Sequence, residues 1–165
     1  MEIINKSDKT LLKEYENFVK NSEYGNFMQS LRWPKVKEGW GWDAVLSRDS
    51  EGKIRGTCLV ITKKVPIFGV KFLYAPHGPC CDWSDKEVMQ DLFEGVKVLA
   101  KKHRCYQFMW DPPFEEKEED RTALIESMGF SHIHNAAELT TIQARNNYML
   151  RDIKGKTADE VMAGF

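Results

Sequence analysis

Two places in this 165-residue chain put charged side chains where chemistry could use them. Lys37 stands on a short predicted helix with Trp33, and Trp40 and Trp42 follow closely. A lysine stem laid along aromatic rings is restricted in position, and its ammonium can meet a phosphate as a point charge. The plainer alternative is a solvated surface lysine. Asp111 follows a nearly uncharged predicted strand, Cys105 to Trp110, and is pinned by Pro112 and Pro113. Ligands of open α/β sheets collect beyond the carboxyl ends of strands. A carboxylate there could bind a polar substrate or move a proton; alternatively it caps the next turn. Tyr106 begins the same strand. His77 sits in the Pro- and Gly-bounded loop Ala75-Pro76-His77-Gly78-Pro79, which either lines a site or is a packed turn.

Other chemistry finds less support. The chain has no G-x-S-x-G, P-loop, H-E-x-x-H or dinucleotide fingerprint. His132 and His134 lie two apart on a predicted strand and so face one side, but no carboxylate or cysteine is spaced to complete a metal set. Neither a metal nor a cofactor is expected. Cys58, Cys80, Cys81 and Cys105 fit no paired zinc spacing and are read as buried or half-buried thiols.

The elements that must position these residues follow from hydrophobic periodicity. Ser7-Asp8 opens a helix carrying Leu11, Leu12, Tyr15, Phe18 and Val19. Gln29-Ser30 is expected to cap a second, short helix with Pro34 near its first turn. Three strands follow as a meander: Trp42 to Arg48, Ile54 to Val65 and Val70 to Tyr74. Both faces of the middle one read as covered. Ser84 and Glu87 have capping-box spacing before a helix with Val88, Leu92, Val96 and Leu99 on one stripe. That helix ends in the basic run Lys101 to Arg104.

The strand Cys105 to Trp110 reads as central and buried. A helix with Leu124, Ile125 and Met128 ends at Gly129, strand-like runs occupy the region 131–150, and a helix starts near Thr157. The order predicts an α+β or mixed α/β sandwich with helices on both faces of one twisted sheet.

Composition bounds the rest. The length suits one domain. Five Trp, nine Phe and five Tyr supply core material, which argues against disorder. The net charge of −1 gives no bulk drive toward nucleic acid or an anionic membrane. No run reaches the roughly 18 apolar residues of a membrane span, and Met1 to Lys20 carries charge throughout. A cytoplasmic protein without membrane insertion is expected.

Several blocks together resemble the FemABX family of peptidoglycan bridge-forming aminoacyltransferases. They are Phe27-Met28-Gln29-Ser30-x-x-Trp33-x-x-Val36-Lys37, Tyr74-Ala75-Pro76-His77-Gly78-Pro79, Tyr106 to Trp110 running into Asp111-Pro112, Met128-Gly129-Phe130 and Ile142-Gln143-Ala144-Arg145. They occur in family order and cover nearly the whole chain.

The resemblance implies a GNAT-like acyltransferase fold. It also implies transfer of an amino acid from aminoacyl-tRNA to an amine on the stem peptide of a cell-wall precursor, UDP-linked or lipid-linked. It gives Lys37 to the precursor's diphosphate. Tyr106 and Asp111 would line the same site, with Asp111 a general-base candidate, and Trp40 and His77 would join as substrate-binding residues.

Two positions depart from the family pattern. His77 stands where arginine is usual, which removes a permanent charge. Ala144 stands where proline is usual. On this reading residues 1–152 form a first GNAT-like domain and 153–165 begin a helix leading to a second, tRNA-binding half. An apolar face left uncovered by that half would allow a homodimer. The alternatives are a non-catalytic binding module and a small N-acyltransferase with another donor, although no coenzyme A loop is evident.

Overall fold

The computed structural model describes residues 1–66, 69–112, 119–131 and 154–163. It divides into two units, Met1–Met128 and Gly129–Phe165. The first contains strands β1 (Glu2–Ile3), β2 (Gly41–Arg48), β3 (Ile54–Lys64), β4 (Lys71–Pro76), β5 (Cys80–Cys81) and β6 (Cys105–Asp111). It also contains helices α1 (Lys9–Asn21), α2 (Lys86–Lys102) and α3 (Glu119–Ser127). The strand order is β1-β2-β3-β4-β6, with β5 pairing on β3 beside β4. The β2–β3–β4 meander is antiparallel and β6 joins β4 in parallel. This is the expected mixed sheet.

Cross-strand partners share a face, and the pairing sorts the side chains into two layers. Gly56, Cys58 and Val45 face α2; Thr57, Leu59, Ile61, Lys63, Phe72 and Tyr74 face the other way. The α2 helix packs closely because two glycines leave room. A Cβ on Gly95 would lie 2.4 Å from Val45 Cγ1, and one on Gly56 would lie 2.6 Å from Val88 Cγ1. Phe93 of α2 meets Phe108 and Trp110 of β6, and Trp110 stacks on Trp83 at 5.5 Å.

On the opposite face α1 contributes Leu11, Tyr15 and Val19 to the core. Residues 56–62 of β3 are all buried, as a strand covered on both sides requires. Cys58, Cys80 and Cys81 are buried and Cys105 is half-buried, as expected of small structural thiols.

Several local expectations change. Asp85, not Ser84, caps α2: its side chain accepts from the Val88 N–H, while Ser84 donates to Asp82. The second helix is two single 3-10 turns, Phe27–Gln29 and Trp33–Lys35, and the cap of the first is Asn26. Pro34 and the bend at Ser30 prevent a continuous α-helix. The expected central strand β6 is the last strand of the described sheet, and Tyr106 on it is 60% exposed. Its apolar composition serves aromatic contacts rather than full burial.

The basic end of α2 has a specific partner. Asp43 on β2 is buried and receives His103 Nε2 at 2.7 Å and Lys102 Nζ at 3.1 Å. Burial alone would raise its carboxyl, but these contacts outweigh it and hold the pKa below the ordinary value.

In the second unit α4 (Ala158–Met162) starts with a capping box between Thr157 and Glu160. His132, His134, Gln143, Ala144, Arg145, Pro113 and the strand-like runs at 132–150 lie outside the described residues.

Candidate active site

The site is built on the α1 side of the sheet, over β4 and β6. Phe72 and Tyr74 are two apart on β4, share this face and stack at 6.4 Å. Tyr106 reaches it through an irregularity in β6. Lys71 pairs with Cys105 but Phe72 pairs with Gln107, so Tyr106 is one extra residue in the strand. Strict alternation would put Tyr106 and Asp111 on opposite faces. The bulge resets the parity. The Tyr106 ring then meets Phe72 at 6.1 Å, while Asp111 pairs with Pro76 on the Phe72 and Tyr74 face.

Asp111 is anchored by the loop after β4. Its Oδ1 accepts the His77 backbone N–H at 3.0 Å, and Oδ2 lies 3.5 Å from His77 Nδ1. Asp111 therefore holds the preceding loop; the turn expected after it lies outside the described residues. Burial pushes its carboxyl above the ordinary value; the His77 N–H and the nearby Tyr74 hydroxyl offset this only in part.

His77 adopts a left-handed φ of 45°. The main chain beside it is fixed by Gln29, whose Nε2 donates to Pro76 O at 2.7 Å. Gly78 is required there, since a Cβ would fall 2.4 Å from that nitrogen.

Lys37 and Trp40 enter from the segment before β2. Glu16 of α1 holds the start of that segment, accepting Ser30 Oγ at 2.5 Å and the Leu31 N–H at 2.9 Å. Lys37 Nζ lies 5.1 Å from the centre of the Trp33 ring, which in turn meets Phe27 edge-on at 5.4 Å. The three tryptophans do not converge on one lysine. Trp40 carries Lys63 at 5.6 Å and Trp42 carries Lys6 at 4.6 Å. Trp40 also meets Phe72 edge-on at 6.2 Å.

The fold thus joins Trp40, Tyr106, Asp111 and His77 through Phe72 and Tyr74. Lys37 is tied to Trp40 by one turn, the Trp40 N–H donating to Lys37 O at 3.1 Å. Phe72, Tyr74, Lys63 and Gln29 were not singled out from the sequence. The available signals were the period-two spacing of Phe72 and Tyr74 and the place of Gln29 and Tyr74 within the quoted blocks.

Chemically, the surface offers ammonium groups and aromatic rings at one end. At the other, about 16 Å along β6 at the usual strand rise, stands a carboxylate with a raised pKa. Among the described residues no set of three His, Cys, Asp or Glu could hold a metal. No helix among them is long and apolar enough to cross a membrane. A separate open cleft of about 720 Å³, with Tyr24, Arg55 and Asp82 on its walls, shares no residue with this site.

The fold is that of the GNAT-like acyltransferases. A soil-metagenome aminoglycoside acetyltransferase superposes with a TM-score of 0.59 at 11% identity, covering 91% of this chain and 95% of its own. FemX superposes with a TM-score of 0.68 at 26% identity, covering 80% of this chain and 32% of its own. The FemAB family model matches residues 10–165, and the chain belongs to that family. A curated relative, the lipid II:glycine glycyltransferase of Staphylococcus aureus strain MRSA252, is 32% identical over 124 residues. The match takes in 73% of this chain and spans 29% of that relative's length.

Proposed function

We propose that this chain forms the precursor-binding part of an aminoacyltransferase that builds peptidoglycan interpeptide bridges. The donor is an aminoacyl-tRNA and the acceptor is an amine on the stem peptide of a muramyl precursor, carried by UDP or by a lipid. In this reading Lys37 binds the precursor's diphosphate. Trp40 and Tyr106 support the sugar and peptide, and His77 shapes the loop around Asp111. The tRNA is met mainly by protein surface beyond this domain.

The reaction asks little of the protein. The aminoacyl ester is already activated, so binding supplies proximity and orientation. The acceptor amine attacks the ester carbonyl, a C–N bond forms and the C–O bond to the tRNA ribose breaks. Asp111 takes the amine proton, which ends on the departing ribose oxygen. A carboxylate near pKa 4 is a weak base, and the burial that raises Asp111 makes it a better one.

The observation that carries this reading is the Asp111 carboxylate. It is half-buried, anchored by the His77 N–H, and on the same sheet face as Phe72 and Tyr74. The test is calorimetric titration with a UDP-linked muramyl pentapeptide. The parent should bind and Lys37→Ala should bind at least tenfold more weakly; equal affinity would overturn the role of Lys37. A coenzyme A titration tests the other donor, and a rise in melting temperature would favour a stand-alone N-acyltransferase.

A further inference from the structure

Lys63 stands on the active-site face, with no carboxylate partner among the described residues. It pairs across the sheet with Phe72, so its side chain emerges beside the ring that touches both Trp40 and Tyr106. Its Nζ lies 5.6 Å from the centre of the Trp40 ring and 3.2 Å from where a Cβ on Gly39 would stand. Gly39 has φ 72°, a left-handed conformation that glycine takes without strain, and its bare Cα lets the turn pass over this ammonium. Lys37 belongs to the same turn, with its carbonyl bound by the Trp40 N–H. The third charged residue of the turn is Glu38. Among the described residues none of Lys37, Glu38 and Lys63 forms an ion pair.

We propose that Lys63 and Lys37 together form a two-ammonium cradle, with the Trp40 indole beside it, that takes a diphosphate. This deepens the reading of Lys37 given above and rests on it. A diphosphate presents two anionic groups, and one lysine is a point charge that answers one of them. Two ammonium groups beside one turn, neither of them in an ion pair among the described residues, can answer one anionic group each. Each stem has its own indole, Trp33 for Lys37 and Trp40 for Lys63, so less side-chain freedom is lost on binding than for a free lysine. The acceptor's diphosphate has the same chemistry whether uridine or a lipid lies on its far side.

Calorimetry on the protein, with Lys63→Gln, Lys63→Arg and Lys64→Gln, tests this. Lys64 is the neighbour in β3 whose side chain points to the other face. Against UDP-linked muramyl pentapeptide, Lys63→Gln should weaken binding about tenfold, the loss expected for one charge-assisted contact. Lys63→Arg should restore most of it and Lys64→Gln should change little. Against muramyl pentapeptide lacking the UDP, Lys63→Gln should match the parent. Repeating the titration with lipid-linked precursor in detergent micelles separates the two sources: the larger Lys63 effect marks the diphosphate the cradle fits.

If the parent binds with a Lys37 dependence but Lys63→Gln is indistinguishable from Lys64→Gln, the cradle is wrong and the proposed function stands. If the parent binds no muramyl ligand, both fall.

Discussion

The Gln29 side chain satisfies both backbone groups of Leu59: Oε1 accepts the Leu59 N–H at 2.8 Å and Nε2 reaches Leu59 O at 3.4 Å. The sheet requires this. On one side of β3, β5 pairs with residues 56–57 and β4 with residues 61–64, which leaves Leu59 between them without a strand partner. An unpaired buried amide and carbonyl are costly, and Gln29 takes the place of the absent strand. The same nitrogen holds Pro76 O, so this repair also fixes the loop that presents His77 to Asp111.

Gln29→Ala should therefore destabilise the protein by about 3 kcal/mol, because several buried backbone groups lose their partner together. Gln29→Glu keeps the shape and the acceptor but loses the donor, and turns a carboxylate toward two carbonyl oxygens. Urea unfolding at pH 5 and pH 8 checks this, with the glutamate variant weaker at the higher pH. A Gln29→Glu protein as stable as its parent at both would contradict the clamp.

Asp43 should behave as a buried anchor for the end of α2. Replacing it by alanine leaves His103 and Lys102 without their acceptor and should cost about 2 kcal/mol. Its folded pKa lies below the unfolded value near 4, so its stabilisation is present above about pH 4 and is lost as pH falls through the folded value. Parent and variant should converge in acid. A gap that stays constant down to pH 2 would argue against the charge as the source.

Asp111 should show the opposite sign. Its folded pKa is raised, so the ionised form costs stability once pH passes above the unfolded value and through the folded one. Asp111→Asn keeps an oxygen for the His77 N–H and removes that cost. Its melting temperature at neutral pH should equal or exceed the parent's, and where the proposed transfer is reconstituted its rate should fall about 100-fold or more. Lower stability with intact transfer would reverse the assignment.

His77 tunes that carboxylate. His77→Arg places a permanent positive charge beside Asp111, which should lower its pKa and move the acidic limb of the pH–rate profile of the proposed transfer, once reconstituted, to lower pH. His77→Asn tolerates the left-handed backbone and keeps the main-chain N–H, but removes the ring. It should move the limb the other way. Single-turnover rates across pH distinguish this from a purely structural loop, for which neither limb moves.

The cysteines should be inert in the folded protein. Burial pushes Cys58 up to about 12 and raises Cys80, Cys81 and Cys105 as well. A thiol reagent at pH 8 should titrate at most the half-buried Cys105 before unfolding and all four thiols after it. Rapid reaction of the Cys80-Cys81 pair would revive a redox role.

Much of this molecule is legible in its residues alone. The meander from Trp42 to Tyr74, the amphipathic stripe of α2 and the N-cap at Asp8 follow from local periodicity and capping, which short stretches of chain decide for themselves. The five ordered blocks carried the family, and the candidate residues Lys37, Asp111, Tyr106, Trp40 and His77 could be named because each sits in a distinctive local setting.

What they touch was settled only by tertiary structure. The bulge that turns Tyr106 toward the Asp111 face depends on the register between β4 and β6, which no single strand encodes. The Gln29 clamp answers a gap between two strands that are distant in sequence. Asp111 binds back to His77, 34 residues earlier. Pairings of this kind are chosen by the cost of leaving buried backbone groups unpaired, and that cost exists only once the whole sheet has formed.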